Sequence, residues 1–123
     1  MAMPESLDDR YRRVLAKQLT MNGETWRTLV NHGVSEATEL RLDFAYTAAD
    51  RASANALKSV LEEQTDYDVR VESSGLLTKT WAVVGTTQRT AVSQAILDQW
   101  VDWMVTAGLH KNCEFDGWGT RVE

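Results

Sequence analysis

The chain has 123 residues, 43% of them hydrophobic, which is enough for a single domain with its own core. Its formal net charge is −5, from 18 acidic and 13 basic residues, so it lacks the basic footprint that bulk binding to phosphate backbones or anionic membranes requires. No apolar run approaches the length of a membrane span, the opening MAMPESLDD has no signal-peptide core, and Cys113 has no second cysteine to pair with, so a reducing, cytoplasmic setting is expected.

Residues 5–20 read as a helix. Ser6 is positioned as its N-cap, with Asp8 and Asp9 in the first turn, and Tyr11, Val14, Leu15, Gln18 and Leu19 fall along one side. Asn22-Gly23 reads as a break, followed by a second short helix over 24–32 anchored by Trp26, Leu29 and Val30 and stopped by Gly33. Residues 39–46 alternate, with Leu40, Leu42, Phe44 and Tyr46 on one face. Thr47 is expected to cap a helix over about 48–64, whose inner face is Ala54, Leu57, Val60 and Leu61. Residues 66–72 alternate again, and Ser73-Ser74-Gly75 marks a turn. Residues 79–85 are apolar on both faces, which predicts a central strand.

Thr86 or Thr87 is expected to cap a last helix over about 88–107. One of its apolar faces is Val92, Ile96, Trp100, Trp103 and Ala107; a second is Leu97, Val101 and Met104, so the helix must be covered on two sides. The sheet supplies one cover, and either the N-terminal helices or a partner chain the other. Cys113–Glu123 (CEFDGWGTRVE) alternates until Asp116-Gly117, a dipeptide suited to a tight turn or bulge. The order β-α-β-β-α-β predicts an α+β, ferredoxin-like sandwich over 35–123: a four-stranded antiparallel sheet with two helices on one face and first and last strands adjacent. Residues 1–34 form an N-terminal helical extension.

In that arrangement the outward set is Glu39, Arg41, Asp43, Asp68, Arg70, Glu72, Glu114 and Asp116. An RNA-recognition module on this scaffold needs stacking aromatics and bases there, so direct nucleic-acid binding is not expected. Such a face is either a solvated surface of cross-strand charge pairs or a docking surface for a basic protein segment, with Asp43, Glu72, Glu114, Asp116 and Trp118 as candidate contacts. Trp118 is either turned inward by the kink or left as a docking anchor. His110, Cys113 and Asp116 are too few for a metal site, and on a strand Cys113 and Asp116 diverge. Cys113 reads as a small buried thiol. Isolated glycines make no phosphate loop, so no cofactor is expected. Asp43 and Asp116, if brought together, would be the pair to suspect for acid–base chemistry.

The segment Glu114, Phe115, Asp116, Gly117, Trp118, Gly119, Thr120 closely resembles the ending of the regulator of ribonuclease activity B family: acid, aromatic, then Asp-Gly-Trp-Gly-Thr. The helix and polar turn before an alternating first strand, Trp26 to Tyr46, and the two helix-length crossovers extend the resemblance over roughly residues 24–123. It implies a ferredoxin-like, cytoplasmic, cofactor-free protein that is not an enzyme. Such a protein binds the endoribonuclease ribonuclease E and inhibits it, altering RNA turnover by protein–protein contact. Two alternatives remain at this point: a small-molecule-binding or catalytic domain of the same fold, and a homodimer built through Leu97, Val101 and Met104 or through the open sheet face.

Overall fold

The computed structural model describes residues 4–77 and 79–121. In chain order these form α1 (Leu7–Asn31), β1 (Glu39–Leu40), β2 (Leu42–Ala48), α2 (Arg51–Gln64), β3 (Asp68–Ser74), β4 (Thr80–Thr86), β5 (Thr90–Ala91), α3 (Gln94–Leu109) and β6 (Cys113–Thr120). The class is α+β. The main sheet has the order β3-β4-β2-β6 with every neighbouring pair antiparallel, and β1 with β5 makes a separate two-stranded ribbon. The expected adjacency of the first long strand and the last appears as β2 beside β6, and β4 is central. The expected run of the last strand to Glu123 falls partly on residues 122–123, outside the described residues.

Local signals explain most boundaries. Ser6 caps α1 by accepting from the Asp9 amide at 3.1 Å. At the other end Gly33 adopts φ 91°, the Gly33 amide donates to Val30 and the Val34 amide to Leu29. These two bonds make a Schellman stop, and Val34 and Leu29 share one apolar cluster, as that motif favours.

Four boundaries differ from expectation. The break at Asn22-Gly23 does not occur: α1 is one helix of 25 residues. A mid-helix glycine costs about 1 kcal/mol relative to alanine, but here Asn22 is fully buried and hydrogen-bonded, and Gly23 sits where an added Cβ would lie 3.4 Å from the Gln94 side chain of α3. Tertiary contact outweighs propensity. Thr47 is not a cap, because it is paired in the sheet with Ala82 and Glu114; Asp50 caps α2 instead, accepting from the Ser53 amide at 2.7 Å. Nor do Thr86 and Thr87 cap α3. Thr87 fastens the loop to β2 by accepting from the Leu42 amide, residues 90–91 pair with β1, and the cap is Ser93. The strand predicted over 39–46 is divided at Arg41, so Glu39 belongs to the ribbon and not to the main sheet.

The core has two parts. The larger lies between the sheet and the helices: Phe44, Tyr46, Val83 and Phe115 from strands meet Leu57 and Leu61 of α2, Val101 and Met104 of α3, and Val14 of α1. The smaller, with Leu29, Val34, Leu40, Leu42, Val92 and Leu97, lies under the ribbon; Trp100 and Trp118 touch both. Leu97, Val101 and Met104 have no exposed surface, so the homodimer contact expected of them is not available. They are covered within the chain, where α1 lies along α3: Tyr11 Oη donates to Asp102 at 2.6 Å and Asn22 to Asp98 at 3.0 Å. The large hydrophobic residues of α3 that are exposed are Ile96 and Trp103, which the sequence pattern placed on a covered side.

Tyr46 is buried and donates to the Met104 carbonyl at 2.7 Å. Desolvation pushes its phenol well above the ordinary value, and burial, then the charge of Asp50, lifts the Cys113 thiol to about 11. A raised folded-state value means the native protein holds a proton that the unfolded chain releases as pH passes 9. Stability is therefore complete below pH 9 and declines between about 9 and 11, by an amount on the order of 1–2 kcal/mol. Urea unfolding at pH 8 and pH 10.5 measures this, and Cys113→Val should flatten the decline. A second prediction concerns Gly108. In an isolated helix Gly→Ala stabilises by about 1 kcal/mol, but here the added Cβ would lie 2.5 Å from the Tyr46 ring and 2.9 Å from the Cys113 carbonyl. Gly108→Ala should lower the unfolding free energy by about 1–3 kcal/mol.

Candidate functional site

Successive residues of a strand face opposite ways, so burying Leu42, Phe44 and Tyr46 sends Asp43, Ala45 and Thr47 outward. Cross-strand register places Thr86, Val84 and Ala82 beside them on β4, then Asp68, Arg70 and Glu72 on β3; on the other side lie Gly119, Gly117 and Glu114 of β6. The outward face therefore has a floor of small residues with charges around it. The outward positions of β4 are missing from the face read off the sequence, although the same period-2 count over 79–85 locates them. A shallow hollow of about 490 Å³ crosses this floor, between Asp43, Arg70 and Asp116, with Met21 of α1 at its rim.

The acids are less free than their number suggests. Asp43 accepts from Thr86 Oγ1 at 2.7 Å. Glu72 pairs with Arg70 at 2.7 Å. Glu114 receives Arg10 at 3.4 Å and Arg13 at 3.2 Å, so it anchors α1 to β6. Arg13 also meets Glu5 at 2.9 Å, and that bond chiefly draws the Glu5 carboxyl below its usual value. Each pair is solvent-accessible and adds little to stability, but Asp43, Glu72 and Glu114 have their charge partly answered. Asp116 is exposed at the edge.

Trp118 is turned inward. The register of β6 on β2 slips between Ala45 and Tyr46, so Asp116 is an extra residue, and Gly117 follows with φ 149°. Without the bulge Phe115 and Trp118, three apart, would face opposite ways; with it both join the helix side. Trp118 packs edge-on against Trp100 at 6.3 Å, and its indole N–H donates to Asn22 Oδ1 at 2.7 Å. Asn22 passes its own amide N–H to Asp98, and Gln18 donates to the carbonyl of the bulged Asp116 at 3.3 Å. The Asp-Gly-Trp segment is thus the socket into which α1 is fastened.

Catalytic pairings are not assembled in the ways considered. Asp43 lies opposite Gly119, three positions from Asp116 along β6, about 10 Å of strand. Both border the hollow, but not as a close carboxylate pair. Cys113 is buried and its Sγ donates to the carbonyls of Lys111 and Ser53, while His110 is an exposed helix cap. Among the described residues no group of three or more His, Cys, Asp or Glu is placed to hold a metal ion. No described helix is long and apolar enough to cross a membrane.

No protein-family model matches this chain, and no curated protein matches its sequence.

The socket yields a quantitative expectation. Asn22→Leu keeps the volume but leaves the Trp118 N–H and the Asp98 carboxylate without their partner. It should cost about 2–4 kcal/mol in chemical denaturation. Adding Trp118→Phe should recover part of that loss, and strictly additive effects would show that the two side chains are not coupled.

Proposed function

We propose that this protein is a non-enzymatic regulator that docks on a protein partner through the open face of its sheet. We read the main sheet and the two helices packed on it, α2 and α3, as a ferredoxin-like βαββαβ unit, with α1 as an added helix. The order β3-β4-β2-β6 supports this reading, because it sets the two central strands between the hairpin strand and the last strand. The observation that carries the docking function is the outward face itself: a level floor of Ala45, Ala82, Val84, Gly117 and Gly119, left uncovered by any described helix and ringed by side chains of both charges. A floor without bulky side chains lets another surface approach the sheet closely, and the charged ring sets its orientation.

The partner proposed is ribonuclease E or its assembly, and the effect a slower turnover of RNA. This rests on the likeness of residues 114–120 to the regulator of ribonuclease activity B family. Trp118 bonds Asn22 and packs on Trp100, so the proposed docking set is Asp43, Asp116 and the small floor, without the Trp118 ring. Glu114 serves it indirectly, by holding α1.

Purified ribonuclease E, an oligoribonucleotide substrate and immobilised protein test the proposal. Wild type should bind the enzyme and slow cleavage. An Asp43→Lys/Val84→Lys variant, shown to be folded by circular dichroism, should bind at least about tenfold more weakly, a loss of about 1.4 kcal/mol. Trp118→Phe should bind within about threefold of wild type. Equal binding by the double variant would remove the open face from the contact; no binding by wild type would remove ribonuclease E as the target.

A further inference from the structure

At one end of the open face three separate chain segments are fastened together. Thr120 Oγ1 donates to the Arg41 carbonyl at 2.6 Å, joining the end of β6 to the turn between β1 and β2. The Thr87 amide donates to the Leu42 carbonyl at 2.9 Å, and the Leu42 amide to Thr87 Oγ1 at 3.0 Å, joining the loop after β4 to the start of β2. Each segment brings one arginine: Arg41, Arg89 and Arg121 all line a cleft of about 480 Å³. Glu39 and Leu40 of β1 line it too. Three arginines lining one cleft in an acidic chain oppose the trend of its composition and concentrate positive charge there. Glu39 and Asp43 also line the cleft and offset part of it. Among the described residues, however, neither Arg41 nor Arg121 forms a side-chain ion pair.

From this we infer that the cleft binds a small phosphate monoester that also carries hydroxyl groups, such as a sugar phosphate. The planar guanidinium fork matches phosphate oxygens in a bidentate way and remains charged at any working pH. A carboxylate is an acceptor only, so Glu39 and Asp43 repel a bare anion but receive hydroxyl donors. A ligand with a phosphate at one end and hydroxyls at the other satisfies both sets. The volume suits a metabolite-sized molecule. A nucleic-acid strand fits poorly, because its next phosphates would run onto Asp43, Asp68, Glu72 and Asp116 of the adjoining face. This inference does not depend on the docking reading, since the described residues line the cleft without a partner chain.

The test is a ¹⁵N NMR titration of the isolated protein with ribose 5-phosphate. Inorganic phosphate, ribose, succinate and sodium chloride serve as parallel arms at matched ionic strength. Saturable shifts are expected at the amides of Arg41, Thr86, Thr87 and Arg89 and at the arginine Nε–H groups, with Kd near or below about 1 mM. Inorganic phosphate should bind the same residues more weakly, and ribose and chloride should not saturate them. Arg41→Gln/Arg121→Gln should weaken binding by at least about tenfold, while Arg70→Gln, on the same face outside the cleft, should bind as wild type. The dispersed spectrum reports folding of each variant; if the double variant loses it, Arg41→Gln alone takes its place, with at least about threefold weakening expected. Equal shifts with chloride, equal affinity for succinate, or undiminished binding by the arginine variant would each overturn the inference.

Discussion

One inserted residue governs how this chain closes. At Asp116 the last strand takes an extra step against β2, and Gly117 absorbs it at a positive φ that a side chain would resist. The step sends Trp118 to the helix side, where its N–H finds Asn22. Asn22 in turn engages Asp98, and Gln18 takes the carbonyl exposed by the bulge. A strand at the edge of a sheet presents unpaired backbone groups, which invite unwanted pairing. Here the bulge and the polar side chains of α1 occupy part of that edge.

The same step divides the two sides of the sheet into different kinds of surface. Inward, Phe44, Tyr46, Trp100, Phe115 and Trp118 form a connected set of edge-on ring contacts. Such contacts add directional preference to burial, and each contributes about 0.5–1.5 kcal/mol beyond area. Outward, the side chains over the floor are small and the charges stand around them. The rigid aromatic side thus supports a face whose shape does not depend on flexible side chains. The proposed contacts, at the floor and at the arginine cleft, both lie on this supported side.

Much of this was readable in the residues. Alternation in 39–46 and 66–72 located two strands and their buried sides, because a half-buried strand must repeat every second residue, and the run 79–85, apolar on both faces, located the central one. Asp116-Gly117 indicated a tight turn or a bulge, and the register makes it a bulge. What alternation does not carry is the identity of a long-range partner. Nothing local distinguishes Asn22-Gly23 as a helix stop from Asn22-Gly23 as a buried hydrogen-bonding residue beside a close helix crossing. Thr47, Thr86 and Thr87 have the chemistry of caps, and only the sheet register and the Leu42 contact assign them elsewhere. Two-residue strands such as β1 and β5 are shorter than any period that could reveal them. The candidate face suffered similarly: its positions were mostly legible, but Arg10 and Arg13 answering Glu114 across a hundred residues were not.

The fastening of α1 has a consequence for biosynthesis. Its partners Asp116 and Trp118 lie 98 and 96 positions further along the chain. At about 5–20 residues per second the ribosome needs several seconds or more to supply them. Until then the helix has neither its socket nor the α3 surface that covers Val14, and loop closure over such a distance is entropically slow. Made well before its partners, α1 is therefore among the last elements to settle. During that interval the nascent chain exposes an amphipathic helix to which a chaperone can bind.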